Sequence, residues 1–112
     1  MKLYTDEIQT AKLIELGFEK PKSIYDYKLR SWKSTTRLET ICAYSIGELL
    51  SFLPENIAKE NEMPSTLNIS LLNGEWCVEY ADFLGADFSF HRVELIDAIF
   101  DMLTKLKEKE VI

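Results

Sequence analysis

Hydrophobic and polar positions change period several times along the chain, and each change marks an element. Over residues 6–16, Ile8, Ala11 and Ile14, with Leu13 beside them, recur at helical spacing. Thr5 suits the N-cap, and Asp6 and Glu7 favour the positive end of the helix dipole. Gly17 stops this helix, because glycine adopts the left-handed C′ conformation cheaply, and Pro21 blocks a restart. Residues 24–32, "IYDYKLRSW", switch to period two. Tyr25, Tyr27 and Leu29 point one way, and Asp26, Lys28 and Arg30 the other, which predicts a half-covered strand. "KSTTR" reads as a turn and residues 38–44 as the return strand.

"YSIGELL" over 44–50 carries the clearest helix start. Ser45 and Glu48 have the spacing of a capping box, and Tyr44 and Leu49 that of a hydrophobic staple. Pro54 disfavours a helical Leu53, so this helix ends there. Residues 55–65 are polar, contain Pro64, and read as a connecting loop.

"TLNISLLNGEWCVEYADF" over 66–83 places Asn73-Gly74 between two alternating runs. That pair suits a turn in which both central residues need positive φ. A two-residue turn sets Leu72 opposite Glu75, Leu71 opposite Trp76, Ile69 opposite Val78 and Leu67 opposite Tyr80. The face made of Leu67, Ile69, Leu71, Trp76, Val78 and Tyr80 is expected in the core. Asn68, Ser70, Cys77 and Glu79 form the second face, either solvated or an interface between copies. Residues 81–89 read as a loop and 91–109 as the last helix. Its apolar stripe is Val93, Ile96, Ile99, Phe100, Leu103 and Leu106, widened by Leu95 and Met102, with Asp97 and Asp101 on the solvated side.

The expected fold class is therefore α+β, in the order helix, strand, strand, helix, strand, strand, helix. An antiparallel sheet of about four strands carries helices on one face. The 112 residues amount to one domain, long enough to bury a core without disulfide or metal. No apolar run approaches the ~20 residues of a membrane span, and the N-terminus lacks the pattern of a signal peptide. A cytoplasmic protein with no membrane partner is expected. Cys42 and Cys77 are then expected as reduced, mostly buried thiols.

Charge changes the picture in one respect. The net charge is −6, but residues 1–44 hold eight Lys/Arg against six Asp/Glu, while residues 45–112 hold five against thirteen. Six of the basic residues fall in 20–37 with Tyr25, Tyr27 and Trp32 interleaved, a composition like that of single-strand nucleic-acid sites. Lys28, Arg30, Lys33 and Arg37 are the candidate nucleic-acid or anion contacts. The strand phase counts against this reading, because the tyrosines share a face with Leu29 and leave only charge outside. Asp82, Asp87, Glu94, Asp97 and Asp101 are the candidate acidic interaction surface.

Conventional catalytic patterns are missing. Four dispersed glycines do not make a phosphate loop, and one histidine with two distant cysteines does not make a zinc site. His91, expected at the start of the last helix, would have to act with Asp82 and Asp87 in any enzymatic reading. No cofactor, metal or catalytic residue is assigned.

"TDEIQTAKLIELGF", "AYSIGELLSFLPENI", the alternating hairpin and "ELIDAIFDMLTKL" together resemble a family of small uncharacterised proteins common in the mobile elements and prophages of gut bacteria. The family pattern is a T-x-x-Q-x-x-x-L-x-x-L-G-like helix, a strand pair, an S-x-x-x-L-L-x-x-L-P helix, a W-x-V-x-Y strand and a D-A-hydrophobic helix. Here it falls on Thr5 to Gly17, Ser45 to Pro54, Trp76 to Tyr80 and Asp97-Ala98 onward, with Gln9 one position late. The family has no assigned activity, so the resemblance implies a setting and an order of elements. Together these readings point to a non-enzymatic module for an unknown protein partner, with nucleic-acid binding through 20–37 as the alternative. Self-pairing through exposed strand edges would make it a homodimer.

Overall fold

The computed structural model describes residues 2–21, 24–25, 41–59, 62–82 and 85–112. In chain order the elements are α1 (Glu7–Glu15), β1 (Ile24–Tyr25), β2 (Ile41–Cys42), α2 (Ile46–Phe52), β3 (Asn56–Lys59), β4 (Glu62–Leu72), β5 (Glu75–Asp82), β6 (Gly85–Arg92) and α3 (Leu95–Glu108). β3 to β6 form one antiparallel sheet in sequence order, and β1 pairs with β2 in a separate antiparallel sheet. The α+β class holds. The four strands of the main sheet differ from those expected, because two of them come from segments read as loops.

The Asn73–Gly74 turn sets the register. Both residues take positive φ, 52° and 79°, and Leu72 pairs with Glu75, Leu71 with Trp76, Ile69 with Val78 and Leu67 with Tyr80, as the two-residue turn requires. The inner face is not uniformly buried. Val78 and Tyr80 are fully buried and Leu67, Ile69 and Trp76 half-buried, but Leu71 is 58% exposed. Length explains the gradient. Eleven residues of β4 extend about 36 Å at ~3.3 Å per residue, whereas the fourteen of α3 cover about 21 Å at ~1.5 Å per residue. The turn end of the ribbon projects past the helix that covers it.

α3 lies across β5 and β6 and against α2. Its buried row is Leu95, Ile96, Ala98, Ile99, Met102, Leu103 and Leu106. Val93, expected in that row, precedes the helix and is 70% exposed. The start falls later than expected because "GADFSFHR" continues the period-two pattern, with Phe88 opposite Tyr80 and Phe90 opposite Val78. This places His91 on β6, not at the helix start. Residues 55–65 likewise contain strand. Ile57 sits in the core opposite Ser65, and Pro64 is accommodated beside a register irregularity between Ile57 and Lys59.

The helix termini follow their local sequence closely. Ser45 and Glu48 make the reciprocal capping box, Leu53 turns extended before Pro54, and Tyr44 and Leu49 are both fully buried. α1 ends in a Schellman arrangement on Gly17, with Phe18 N–H donating to Leu13 O and Gly17 N–H to Ile14 O. Its cap is Asp6, not Thr5: Asp6 accepts from Gln9 N–H at 2.7 Å while Gln9 Oε1 accepts from Asp6 N–H. Thr5 is buried and tied to Tyr44, donating its N–H to Tyr44 O and accepting Tyr44 N–H on Oγ1, both at 3.0 Å.

The buried face of α1 is also not the expected one. Gln9, Thr10 and Leu13 turn inward, while Ile8 is 82% and Ile14 38% exposed. Polar anchors outweigh the apolar stripe here: Thr10 Oγ1 meets Thr5 Oγ1 at 2.7 Å, and Gln9 donates to Asp97 on α3 at 2.7 Å.

Two substitutions test this account by urea unfolding. Ser45→Ala removes the capping oxygen and is expected to lower stability by about 1 kcal/mol. Glu110, at φ 56°, occupies the left-handed position that closes α3; Glu110→Gly is expected to raise stability by up to about 1 kcal/mol.

Candidate interaction surface

The residues singled out in the sequence fall into three groups. Lys28, Arg30, Lys33 and Arg37 lie outside the described residues. Glu94, Asp97 and Asp101 come together at the start of α3, but cations from the same chain meet them. Lys2 donates its backbone N–H to Glu94 at 2.8 Å and its Nζ to Asp97 at 2.9 Å, and Arg92 donates to Asp101 at 2.8 Å and lies 3.8 Å from Asp97. Asp97 and Asp101 thus sit partly buried beneath partners and do not form the solvated acidic face that four-residue spacing suggests. Asp87 and Asp82 lie apart from this group, near the far end of the sheet, where Ser65 donates to Asp87 and Asp82 pairs with Gly85.

Asp97 is the hub of that network. Burial alone would push its carboxyl up, but hydrogen bonds from Lys2 and Gln9 and the charges of Lys2 and Arg92 outweigh this and hold it below the ordinary carboxylate value. Desolvation likewise pulls Lys2 down, and its bonds to Asp97 and Asp6 reverse the sign, leaving it raised. The pair pins the N-terminal segment to α3, with side chains 27% and 18% exposed, drier than an ordinary surface ion pair. Two buried phenols brace the same core. Tyr44 donates to Glu19 O and Tyr80 to Pro54 O, and burial pushes both up to about 12, with the Glu48 charge adding to the rise at Tyr44.

The opposite, outer face of the sheet carries no helix among the described residues. Thr66, Asn68, Ser70, Ser89 and His91 are exposed along it. Cys77 lies on its central strand β5, a buried free thiol. Its Sγ is 3.7 Å from His91 Nε2, 3.7 Å from Ser89 Oγ and 3.8 Å from Glu79 Oε2, while Asn68 donates to Glu79 and His91 Nε2 lies 3.2 Å from Ser89 Oγ. These contacts form a lateral ladder across β4, β5 and β6. Among the described residues no group of three or more His, Cys, Asp or Glu is placed to hold a metal. Glu75 and Glu79 stand on this face, and no Lys or Arg does along β5, β6 or residues 66–72 of β4, Arg92 lying opposite Trp76 on the inner face.

The sheet ends in two unlike edges. β3 is four residues long and irregular in register. β6 is eight residues long and has β5 as its one neighbour among the described strands. A shift in register at Ala81 leaves Asp87 bulged, after which Phe88 to Arg92 run regularly. Beside that stretch, between β6 and α3, lies an open groove of about 210 Å³ floored by Phe90 and Phe100 and rimmed by Asp101, Thr104, Lys105 and Glu108. The edge and groove were missed in the sequence, where 81–89 read as loop. The alternation of Phe88 and Phe90 with Ser89 and His91 was the signal that could have found them.

No family model matches the chain, and neither a curated protein nor a solved structure matches it. No helix of the described residues is long and apolar enough to cross a membrane.

The Asp97 network yields a pH dependence with a defined sign. A depressed carboxylate contributes stability that is present above its ordinary value of 3.8 and lost as pH falls through its own lower value. Asp97→Asn is expected to cost about 1–3 kcal/mol at pH 7 by urea unfolding. The gap from wild type should close as the pH is taken below 3.8.

Proposed function

We propose that this protein is a non-enzymatic protein-interaction module, acting in the cytoplasm and carried by a mobile element or phage. The sheet face that carries no helix among the described residues supports the interaction reading: one face packs on α3, while the other presents a polar surface ending at the long edge β6. A surface of this kind suits contact with a macromolecule better than enclosure of a small one, because ligand sites are concave and bury most of what they hold. The mobile-element setting rests on the motif resemblance over Thr5 to Gly17, Ser45 to Pro54 and the last helix. The carboxylates of the outer face oppose a phosphate backbone, which weighs against nucleic acid as the partner there.

The test is affinity capture by the tagged full chain from a bacterial lysate, with and without nuclease, at low and high salt. The double variant Glu79→Arg, Ser89→Arg serves as control. Proteins retained after nuclease and lost in the double variant, at unchanged thermal stability, are the expected result. Recovery of nucleic acid alone, released by salt, would overturn the reading in favour of the basic segment 20–37.

A further inference from the structure

We propose that β6 takes up an extended, basic segment of a partner protein as a fifth strand, with that segment's apolar side chains seated in the groove between β6 and α3. This deepens the interaction reading and rests on it. Three observations converge. Phe88 to Arg92 form a regular edge with no second strand beside them among the described residues, and an incoming strand satisfies such backbone groups with its own. β6 has only part of the usual protection of an edge. It contains no proline and no lysine, and its two protective features, the bulge at Asp87 and the inward-facing Arg92, lie at the ends of this stretch, so Phe88 to His91 run regularly with no further strand beside them among the described residues. By contrast, the opposite edge, β3, is short and irregular.

The groove supplies side-chain selectivity. Side chains alternate across an added strand. The row on the inner side would lie over Phe90 and Phe100, where about 210 Å³ suits aliphatic side chains of modest size. The other row would lie along the outer face beside Ser89 and His91, one strand away from Glu79.

Charge selects among occupants. The outer face bears Glu75 and Glu79 with no Lys or Arg along β5, β6 or residues 66–72, and the whole chain carries −6. On the inner side Arg92 is paired with Asp101, and Lys105 shares the groove rim with Asp101 and Glu108. A second copy would bring the same excess of negative charge to the edge. A segment with lysine or arginine on its outer row would be drawn to it, with the longer reach of those side chains spanning Ser89 to Glu79.

The probe is a fluorescein-labelled octapeptide of alternating lysine and valine, titrated against the full chain by anisotropy. Two further versions carry backbone N-methyl groups, on every lysine in one and every valine in the other. A fourth replaces lysine with glutamate. In an added strand only one parity of N–H faces β6. One N-methylated peptide should therefore lose at least tenfold in affinity while the other stays within about twofold of the parent. The glutamate version should not bind, and Glu79→Lys should weaken the parent peptide about tenfold.

Equal binding by both N-methylated peptides would overturn strand addition, since charge alone would then hold the peptide. Equal binding of the glutamate version would overturn the choice of a basic partner. Concentration-dependent dimerisation of the chain by sedimentation, with amides 88–92 protected in hydrogen exchange, would make a second copy the occupant and overturn the proposal. Should the peptides fail while nuclease-resistant protein capture succeeds, strand addition falls and the broader interaction reading stands. Failure of both removes the broader reading too.

Discussion

Everything in this molecule depends on the burial of one helix face against two strands. α3 presents Ile96, Ile99, Met102, Leu103 and Leu106, all fully buried, to the inner side of β5 and β6 and to α2. A two-stranded ribbon on its own is marginal in water. With α3 laid across it, the apolar row of Val78 and Tyr80 is removed from solvent, and the flanking strands gain a surface on which to pair. The smaller helices then dock by specific tethers. α2 docks through the fully buried Leu49 and the Tyr44 that precedes its cap, and α1 through Gln9 to Asp97 and Thr5 to Tyr44.

Much of this was legible in the sequence, and what was missed has physical causes. Turn and cap chemistry is local, so Asn73-Gly74, Ser45 with Glu48, Gly17 and Pro54 each specified their geometry without help from the rest of the chain. The face of α1 could not be read, because Gln9 is drawn inward by a partner 88 residues away and Thr10 by Thr5 just before the helix, and side-chain hydrogen bonds of this kind leave no apolar period. Asp97 and Asp101 looked solvated for the same reason. Their cations, Lys2 and Arg92, are brought to them by the fold and not by helical spacing. β3 and β6 were obscured by Pro64 in β4, opposite β3, and by the glycine and aspartates around Gly85, residues that signal loops yet here sit at a register irregularity and beside a bulge. The candidate surface, an edge with its groove, was legible only as the alternation about Phe88 and Phe90.

The uneven charge along the sequence acquires a meaning once the chain is folded. Two groups of carboxylates in the C-terminal part have different roles. One group, at the start of α3, is compensated by Lys2 and Arg92 and holds the N-terminal segment in position. The other, Glu75 and Glu79, stands on the outer face, where Glu79 meets the uncharged Asn68 and Cys77. The first serves cohesion. The second leaves a negative field over the outer face of β5, which decays into solvent over roughly a Debye length, about 8 Å at physiological salt.

The inequality of the two sheet edges has a consequence for stoichiometry. Endless stacking of chains into a fibre needs two competent edges on each molecule, one to give and one to receive. Here the short, irregular β3 cannot match the eight-residue β6. A four-stranded sheet with a single competent edge is monovalent: whatever occupies β6 ends that sheet there, and assembly through it stops after one addition instead of propagating.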